Sequence, residues 1–158
     1  CVQVRFLCVT ELDWSKIEAH IWYSPKRKIE ITAMSKSILI VDDDQSVNSI
    51  FEFILQQAGY KTHSASTGEE CLQLIDTISP IDLIFLDIRL PGISGIETLQ
   101  QIQQKNQSHT VIMITGNTID ETIERSFEGG AYGVIYKPFD VEEVLSIVKR
   151  IFSEKRKP

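Results

Sequence analysis

Residues 38 to 47, ILIVDDDQSV, decide the fold, because an unbroken apolar run ends there in three consecutive carboxylates. Four branched aliphatic residues in a row are typical of a short strand buried on both faces of a parallel sheet. The residues after the acidic triplet have a helical period, with Asp44 as the expected N-cap and Gly59 at the end. The apolar face of this helix is predicted to consist of Val47, Ile50, Phe51, Ile54 and Leu55. The stretch therefore predicts the first strand and helix of an α/β domain.

The alternation of strand and helix continues along the chain. Further apolar runs rich in Ile and Val, at 82–86, 110–114 and 133–137, predict three more buried strands, and the more polar stretch 60–65 predicts a strand at a sheet edge. Pairs of capping residues mark the remaining helix starts at Thr67 with Glu70, Ser94 with Glu97, Thr118 with Glu121 and, as a close variant, Asp140 with Glu143. Five strands that alternate with five helices predict a doubly wound parallel sheet with helices on both faces.

The chemistry of such a sheet is expected at one edge. Ligand sites in open sheets of this kind lie beyond the carboxyl ends of the strands. Asp42 and Asp43 follow the first strand, Asp87 follows the third, Thr115 follows the fourth and Lys137 ends the fifth. Crowded carboxylates repel each other and recruit a hard cation, for which Mg²⁺ suits a site with few protein ligands. A carboxylate beside that cation could act as a nucleophile in phosphoryl transfer, with a lysine to neutralise charge.

Four short motifs carry a resemblance to a known family. They are VDDD at 41–44, IFLDIRLPGISG at 84–95, MITG at 113–116 and YKPF at 136–139. Their order and spacing, 44 residues from Asp43 to Asp87, 28 on to Thr115 and 22 on to Lys137, resemble the receiver domain of two-component response regulators over residues 36–152. The resemblance implies a flavodoxin-like strand order, 2-1-3-4-5.

The resemblance also implies a role for each acidic position. Asp87 would accept a phosphoryl group from a histidine kinase or a histidine phosphotransfer protein. Asp43 would bind Mg²⁺ directly, Asp42 would hold the metal or its waters, and the backbone carbonyl of Arg89 would complete the protein ligands. Asp44 lies outside this set and is expected to cap the first helix rather than bind metal.

Thr115 and Lys137 would each contact a phosphoryl oxygen, again by resemblance. Taken singly, each of these residues has an ordinary structural reading. A lysine at a strand end is usually a solvated charge, a threonine there can serve a turn, and Asp87 alone could cap the turn that follows it. The ordered set together favours the functional reading.

Five positions are expected to tune or relay the switch. Many receivers carry an aromatic residue three positions before the lysine, whereas this chain has Val134, flanked by Tyr132 and Tyr136. Strand alternation would place both tyrosines on the face of Val134, where they either replace the aromatic switch or merely pack. Arg89 could shield a phosphoryl group from water and Asn117 could orient a water, and these two effects on the phosphate lifetime oppose each other.

The leading functional prediction is a phosphorylation-dependent signalling switch rather than an enzyme, since its only reactions would be its own phosphorylation and dephosphorylation. Phosphorylation would change the surface formed by helix 4, strand 5 and helix 5. That surface would then bind a downstream protein, an output domain of a longer regulator or a second copy of the chain. The alternative is a degenerate receiver that acts as a phosphorylation-independent interaction module. The acidic triplet disfavours a flavin-binding flavodoxin-like protein, because it would repel phosphate. The position of Asp87 disfavours a metal-dependent phosphatase with an aspartate nucleophile.

Composition bounds the class of protein. The chain has 158 residues, 42% of them hydrophobic, and a formal net charge of -6, which disfavours direct binding to nucleic acid or an anionic membrane. No apolar run is long enough for a membrane span. The three cysteines show no metal-ligand or CxxC spacing, so a disulfide framework is not expected and a reducing cytoplasm fits best.

A boundary near Met34 is predicted from composition. Residues 1–33 hold both tryptophans and two of the three cysteines, and carry a net charge of +1 against -7 for the remainder. We expect residues 1–33 to be a weakly ordered or non-native N-terminal extension, 34–153 to be the receiver domain, and 154–158 to be a basic tail or the start of a linker. An added strand or helix packed on the domain is the alternative for the extension.

Overall fold

The computed structural model describes residues 36–105, 109–116 and 120–154, which form five strands and five helices in alternation. The strands are β1 Ser37–Val41, β2 Lys61–Ala65, β3 Leu83–Asp87, β4 Thr110–Thr115 and β5 Gly133–Tyr136. The helices are α1 Gln45–Gln57, α2 Gly68–Thr77, α3 Gly95–Lys105, α4 Asp120–Glu128 and α5 Val141–Glu154. The expected extension at 1–33, the capping pair that begins at Thr118 and residues 155–158 of the expected tail lie outside the described residues, whereas Glu154, which was assigned to the tail, is the last residue of α5. Among the described helices, none has the length and apolar character needed to cross a membrane.

The strands form one parallel sheet in the order β2-β1-β3-β4-β5, as the resemblance implied. Val41 pairs with Ala65 on one side and Leu86 on the other, and Asp87 pairs with Ile114. The carboxyl ends of the strands are therefore level with one another. This register brings the residues at the strand ends to one edge of the sheet.

Two apolar clusters fill the space between sheet and helices. On one face, α1 and α5 pack against alternate residues of the central strands, including Ile40 and Phe85. On the other face, α2 and α3 pack against the intervening residues, including Val41 and Leu86. All residues of β1 and β3 are buried, as their continuous apolar runs predict for strands with helices on both sides. The predicted two-sided doubly wound sheet is confirmed.

Local capping chemistry fixes the helix starts. Ser94 and Glu97 form a reciprocal capping box before α3, in which Ser94 N donates to Glu97 Oε2 at 2.9 Å and Glu97 N donates to Ser94 Oγ at 3.3 Å. The hydrogen bond from Ser94 N lowers the pKa of Glu97. Two further predicted caps are confirmed by bonds from Glu70 N to Thr67 Oγ1 and from Glu143 N to Asp140 Oδ1. Gly59, with a φ of +88°, ends α1 as predicted.

Two expectations about burial are wrong. The run 133–137 was predicted to be a strand buried on both faces, but β5 lies at the sheet edge, and only Ile135 within it is buried. Ile50 was assigned to the apolar face of α1, but it is 37% exposed. The buried face of α1 is turned towards Asn48, which is 6% exposed, so Ile50 lies on its margin.

Candidate functional site

The sheet edge gathers four of the predicted site residues. Asp42 is the first residue after β1, Asp87 is the last of β3 and Thr115 is the last of β4. Lys137 lies one residue beyond β5 rather than at its end, and its backbone N–H donates to Thr115 O at 2.7 Å. Asp42, Asp87 and Thr115 are buried, each no more than 5% exposed. Buried polar groups at this point need partners, because burial without a hydrogen bond or counter-charge is costly.

Lys137 joins the two buried carboxylates. Its Nζ lies 2.6 Å from Asp42 Oδ2 and 2.9 Å from Asp87 Oδ1. Burial lowers the pKa of Lys137, but its bonds to the two carboxylates outweigh this and raise the pKa above its ordinary value. The lysine is therefore a fixed positive charge at the site over the physiological pH range. One ammonium cannot neutralise both carboxylates, so the site retains excess negative charge.

Asp87 is electrostatically strained. Burial raises its pKa, and repulsion from Asp42 adds to this, while the bonds to Lys137 oppose it. Its second oxygen, Oδ2, accepts a hydrogen bond from Arg89 N at 2.7 Å. The carboxylate is therefore held in one orientation by a donor on each oxygen. A further cation beside Asp87 would relieve the remaining cost of its charge.

The three carboxylates of the acidic triplet have different surroundings. Asp42 is fully buried, and its Oδ1 accepts from Asp44 N at 3.0 Å. Asp43 is exposed to solvent. Asp44 caps α1 as predicted, since its Oδ1 accepts from Ser46 N at 2.8 Å, and this bond lowers its pKa. Across the described part of the chain, no three His, Cys, Asp or Glu side chains form a ready-made metal cage.

Arg89 reaches across the edge of the sheet. A Cβ built on Gly116, the residue after Thr115, would lie 3.4 Å from an Nη2 atom of Arg89. The guanidinium thus extends from the loop after β3 to the end of β4.

The residues expected to relay the switch are only partly brought together. Val134 is half-buried against the cluster on the α2 and α3 face. Tyr136 in β5 is 42% exposed. Tyr132 precedes β5, so strand alternation does not fix its direction, and its hydroxyl donates to Glu154 in the last turn of α5, which raises the pKa of the tyrosine. Asn117 lies outside the described residues.

Two residues at the site were missed from the sequence. Asn48 is buried on α1, and its amide donates to Asp42 O at 2.8 Å and to Ala65 O at 3.3 Å. Gly95 begins α3 so close to β3 that a Cβ there would lie 2.0 Å from Asp87 O. An asparagine within the apolar face of a helix is a signal that could have drawn attention to the first. The glycine in the first turn of a capped helix could have indicated the second.

Asp87→Asn is expected to raise the free energy of unfolding at neutral pH in Mg²⁺-free buffer, because it removes a charge that burial disfavours. An acid with a raised pKa binds its proton more readily in the folded state. The destabilisation of the fold by the Asp87 charge is therefore complete above the folded pKa of Asp87 and absent below its unfolded pKa near 3.8. We therefore expect the two stabilities to converge as pH falls from about 7 to about 4 in denaturant titrations.

Asp76→Asn, which removes one charge at an exposed site, is the matched control for the change in net charge. A constant stability difference between wild type and Asp87→Asn over this pH range would contradict the assignment of strain to Asp87.

Comparison with known proteins shows the family of the chain. Residues 38–149 match the family model described as the response regulator receiver domain. The chain is 38% identical over 120 residues to the alkaline phosphatase synthesis transcriptional regulatory protein PhoP of Bacillus subtilis, covering 75% of this chain and 49% of that protein. It is 33% identical over 117 residues to sporulation initiation phosphotransferase F of the same organism, covering 74% of this chain and 94% of that protein. The chain therefore spans about half of PhoP and nearly all of the phosphotransferase.

Solved structures show the same fold. The CheY-like response regulator receiver domain protein of Methanospirillum hungatei JF-1 superposes with a TM-score of 0.74 at 30% identity, over 79% of this chain and all of that one. Chemotaxis protein CheY4 of Vibrio cholerae superposes with a TM-score of 0.71 at 28% identity, over 75% of this chain and 99% of that one. With the family model spanning 38–149 and the site residues at the expected sheet edge, the chain belongs to the response regulator receiver domain family of two-component signalling.

Proposed function

We propose that this receiver domain is a signalling switch that accepts a phosphoryl group on Asp87 from a histidine kinase or a histidine phosphotransfer protein. The observation that carries the proposal is the bridge from Lys137 Nζ to Asp42 and Asp87 at the carboxyl edge of the sheet. In the transfer, a carboxylate oxygen of Asp87 forms a P–O bond as the P–N bond of a phosphohistidine breaks. The leaving imidazole takes up a proton.

The donor set fits Mg²⁺. Both oxygens of Asp42 already have protein partners, Lys137 and Asp44 N. Asp43 is exposed and available, and Asp87 and the backbone carbonyl of Arg89 lie at the same edge. Mg²⁺ commonly takes one or two carboxylates and keeps several waters, so the lack of a three-carboxylate cage among the described residues suits it. When bound, the ion would supply charge neutralisation for the phosphoryl oxygens.

The protein side chains would do the remaining work by position and charge. The Lys137 ammonium, already 2.9 Å from Asp87, would pair with a phosphoryl oxygen. The Thr115 hydroxyl would donate to another oxygen, since Thr115 ends the strand beside Asp87. Arg89, whose guanidinium reaches the neighbourhood of Gly116, would limit the access of water. The position of Asp42, Asp87, Thr115 and Lys137 at one edge of the sheet supports these proposed roles.

The output surface is proposed to be formed by α4, β5 and α5. Four large apolar or aromatic side chains there are 41–51% exposed, namely Phe127, Tyr132, Tyr136 and Val141. Phosphorylation would shift a pre-existing equilibrium between two arrangements of this surface. Its partner would be a downstream protein, an output domain of a longer regulator or a second copy of the chain. A cytoplasmic location is proposed with this role, where soluble phosphorelay partners act.

The experiment that tests the proposal is intact-mass measurement of the full chain after incubation with acetyl phosphate and Mg²⁺. We expect one added phosphoryl group, which is absent when Mg²⁺ is chelated. Asp87→Asn is the matched variant and is expected to remain unmodified. An unmodified wild type that retains its fold, with several phosphodonors, would overturn the proposal and favour a phosphorylation-independent interaction module.

A further inference from the structure

Asn48 is buried at a point where a polar side chain is costly. It lies on the core-facing side of α1 and is 6% exposed. Its Oδ1 has no hydrogen-bond partner among the described residues. A buried polar atom without a partner is unfavourable, so packing alone does not favour asparagine here.

The other half of the amide is fully used. Asn48 Nδ2 donates to Asp42 O at 2.8 Å and to Ala65 O at 3.3 Å. The carbonyl of Ala65 also accepts from Asp42 N at 3.2 Å. One side chain thus ties the start of the acidic turn to the end of β2.

The backbone N–H of Asn48 bonds to the other end of the acidic turn. Asn48 N donates to Asp44 O at 3.2 Å, while Asp44 N donates to Asp42 Oδ1 at 3.0 Å. Residues 42–44 are therefore held by Asn48 at both ends. Asp43 lies between the two points and is exposed to solvent.

We propose that Asn48 is a positioning residue for the acidic turn, which fixes Asp42 and Asp43 for a divalent cation. The inference rests on the proposed function and deepens it, because it assigns cation affinity partly to a side chain that contacts no cation. Residues that orient metal ligands typically contribute about 10–100-fold to metal affinity. Loss of the amide would let the turn sample other conformations and reduce the population that can bind.

The test is Mg²⁺ binding to the full chain, measured by isothermal titration calorimetry at constant ionic strength. Asn48→Leu keeps a similar side-chain volume and removes the donor, and Asn48→Ala is the second variant should leucine disturb packing. We expect both to raise the Mg²⁺ dissociation constant by at least about tenfold. Amide hydrogen exchange at Asp42 and Asp44 is expected to be faster in both.

Two controls separate positioning from general stability. Ser49→Ala removes an exposed bond to Gln45 O on the same helix, and Ile54→Val mildly weakens the core near the other end of that helix. Both should bind Mg²⁺ as wild type does. Wild-type affinity in both Asn48 variants would overturn the positioning role alone, whereas a wild type that binds no Mg²⁺ would count against the proposed function itself.

Discussion

Lys137→Met is expected to lower the free energy of unfolding by about 3 kcal/mol at neutral pH in Mg²⁺-free buffer. The substitution leaves Asp42, which is fully buried, and Asp87 without their shared counter-charge. The pKa of Lys137 is raised by these partners, so the lysine stabilises the fold below its ordinary pKa of 10.5, and this contribution is lost only as pH rises through the higher folded value. Chemical denaturation of both proteins measures the difference.

The interaction between Lys137 and Asp87 can be measured by a double-mutant cycle. In an Asp87→Asn background only one carboxylate loses its counter-charge, so Lys137→Met should cost less there. Lys105→Met is the matched control, because it breaks an ion pair of similar length with Asp76 between exposed side chains and should cost less than about 1 kcal/mol. Equal costs for the two lysine variants would show that burial of the Lys137 pair has no energetic consequence.

Gly95→Ala is expected to destabilise the domain by about 3 kcal/mol or more, and to impair phosphorylation of any protein that folds. The added Cβ would lie 2.0 Å from Asp87 O and 2.8 Å from Ile88 Cα. Both atoms belong to backbone, so no side-chain rotation can relieve the overlap, and α3 must move away from β3. Such a movement would displace Asp87 itself. Thermal or chemical unfolding measures the first effect, and the rate of acetyl phosphate modification measures the second.

Gly116→Ala provides the matched glycine control. Its Cβ would contact only the end of the Arg89 side chain, at 3.4 Å, so we expect a stability change within about 0.5 kcal/mol. If Gly95→Ala were as stable as Gly116→Ala, the close approach of α3 to β3 would not be a constraint on the site.

The strands, helix starts and most of the site were predictable because their signals are local. Continuous apolar runs mark β1 and β3, and side chains such as Ser94 and Glu97 satisfy the N–H groups of the helix start a few residues away. The rule that ligands lie beyond the carboxyl ends of parallel strands then placed Asp87 and Lys137 at one edge. The strand order came from resemblance to a family, not from the periodicity of the residues.

The errors concern contacts made across the fold. Sequence periodicity marks an apolar face but does not give its rotation, and the buried face of α1 includes Asn48, which bonds to Asp42 and Ala65. The edge position of β5 leaves an apolar run partly exposed, and nothing within residues 133–137 indicates that this strand is the last of the sheet formed by the described residues. The close approach at Gly95 is likewise set by the packing of α3 on β3.

Chemical trapping of the phosphorylated residue tests the central claim most directly. The full chain would be treated with acetyl phosphate and Mg²⁺, reduced with sodium borohydride, which converts an aspartyl phosphate to homoserine, and analysed by peptide mass spectrometry. The account predicts homoserine at position 87 and nowhere else. Homoserine at position 42, 43 or 44 would contradict the account. The nucleophile would then follow the first strand, as expected of a metal-dependent phosphatase with an aspartate nucleophile. The bridge from Lys137 to Asp87 would in that case have only a structural role.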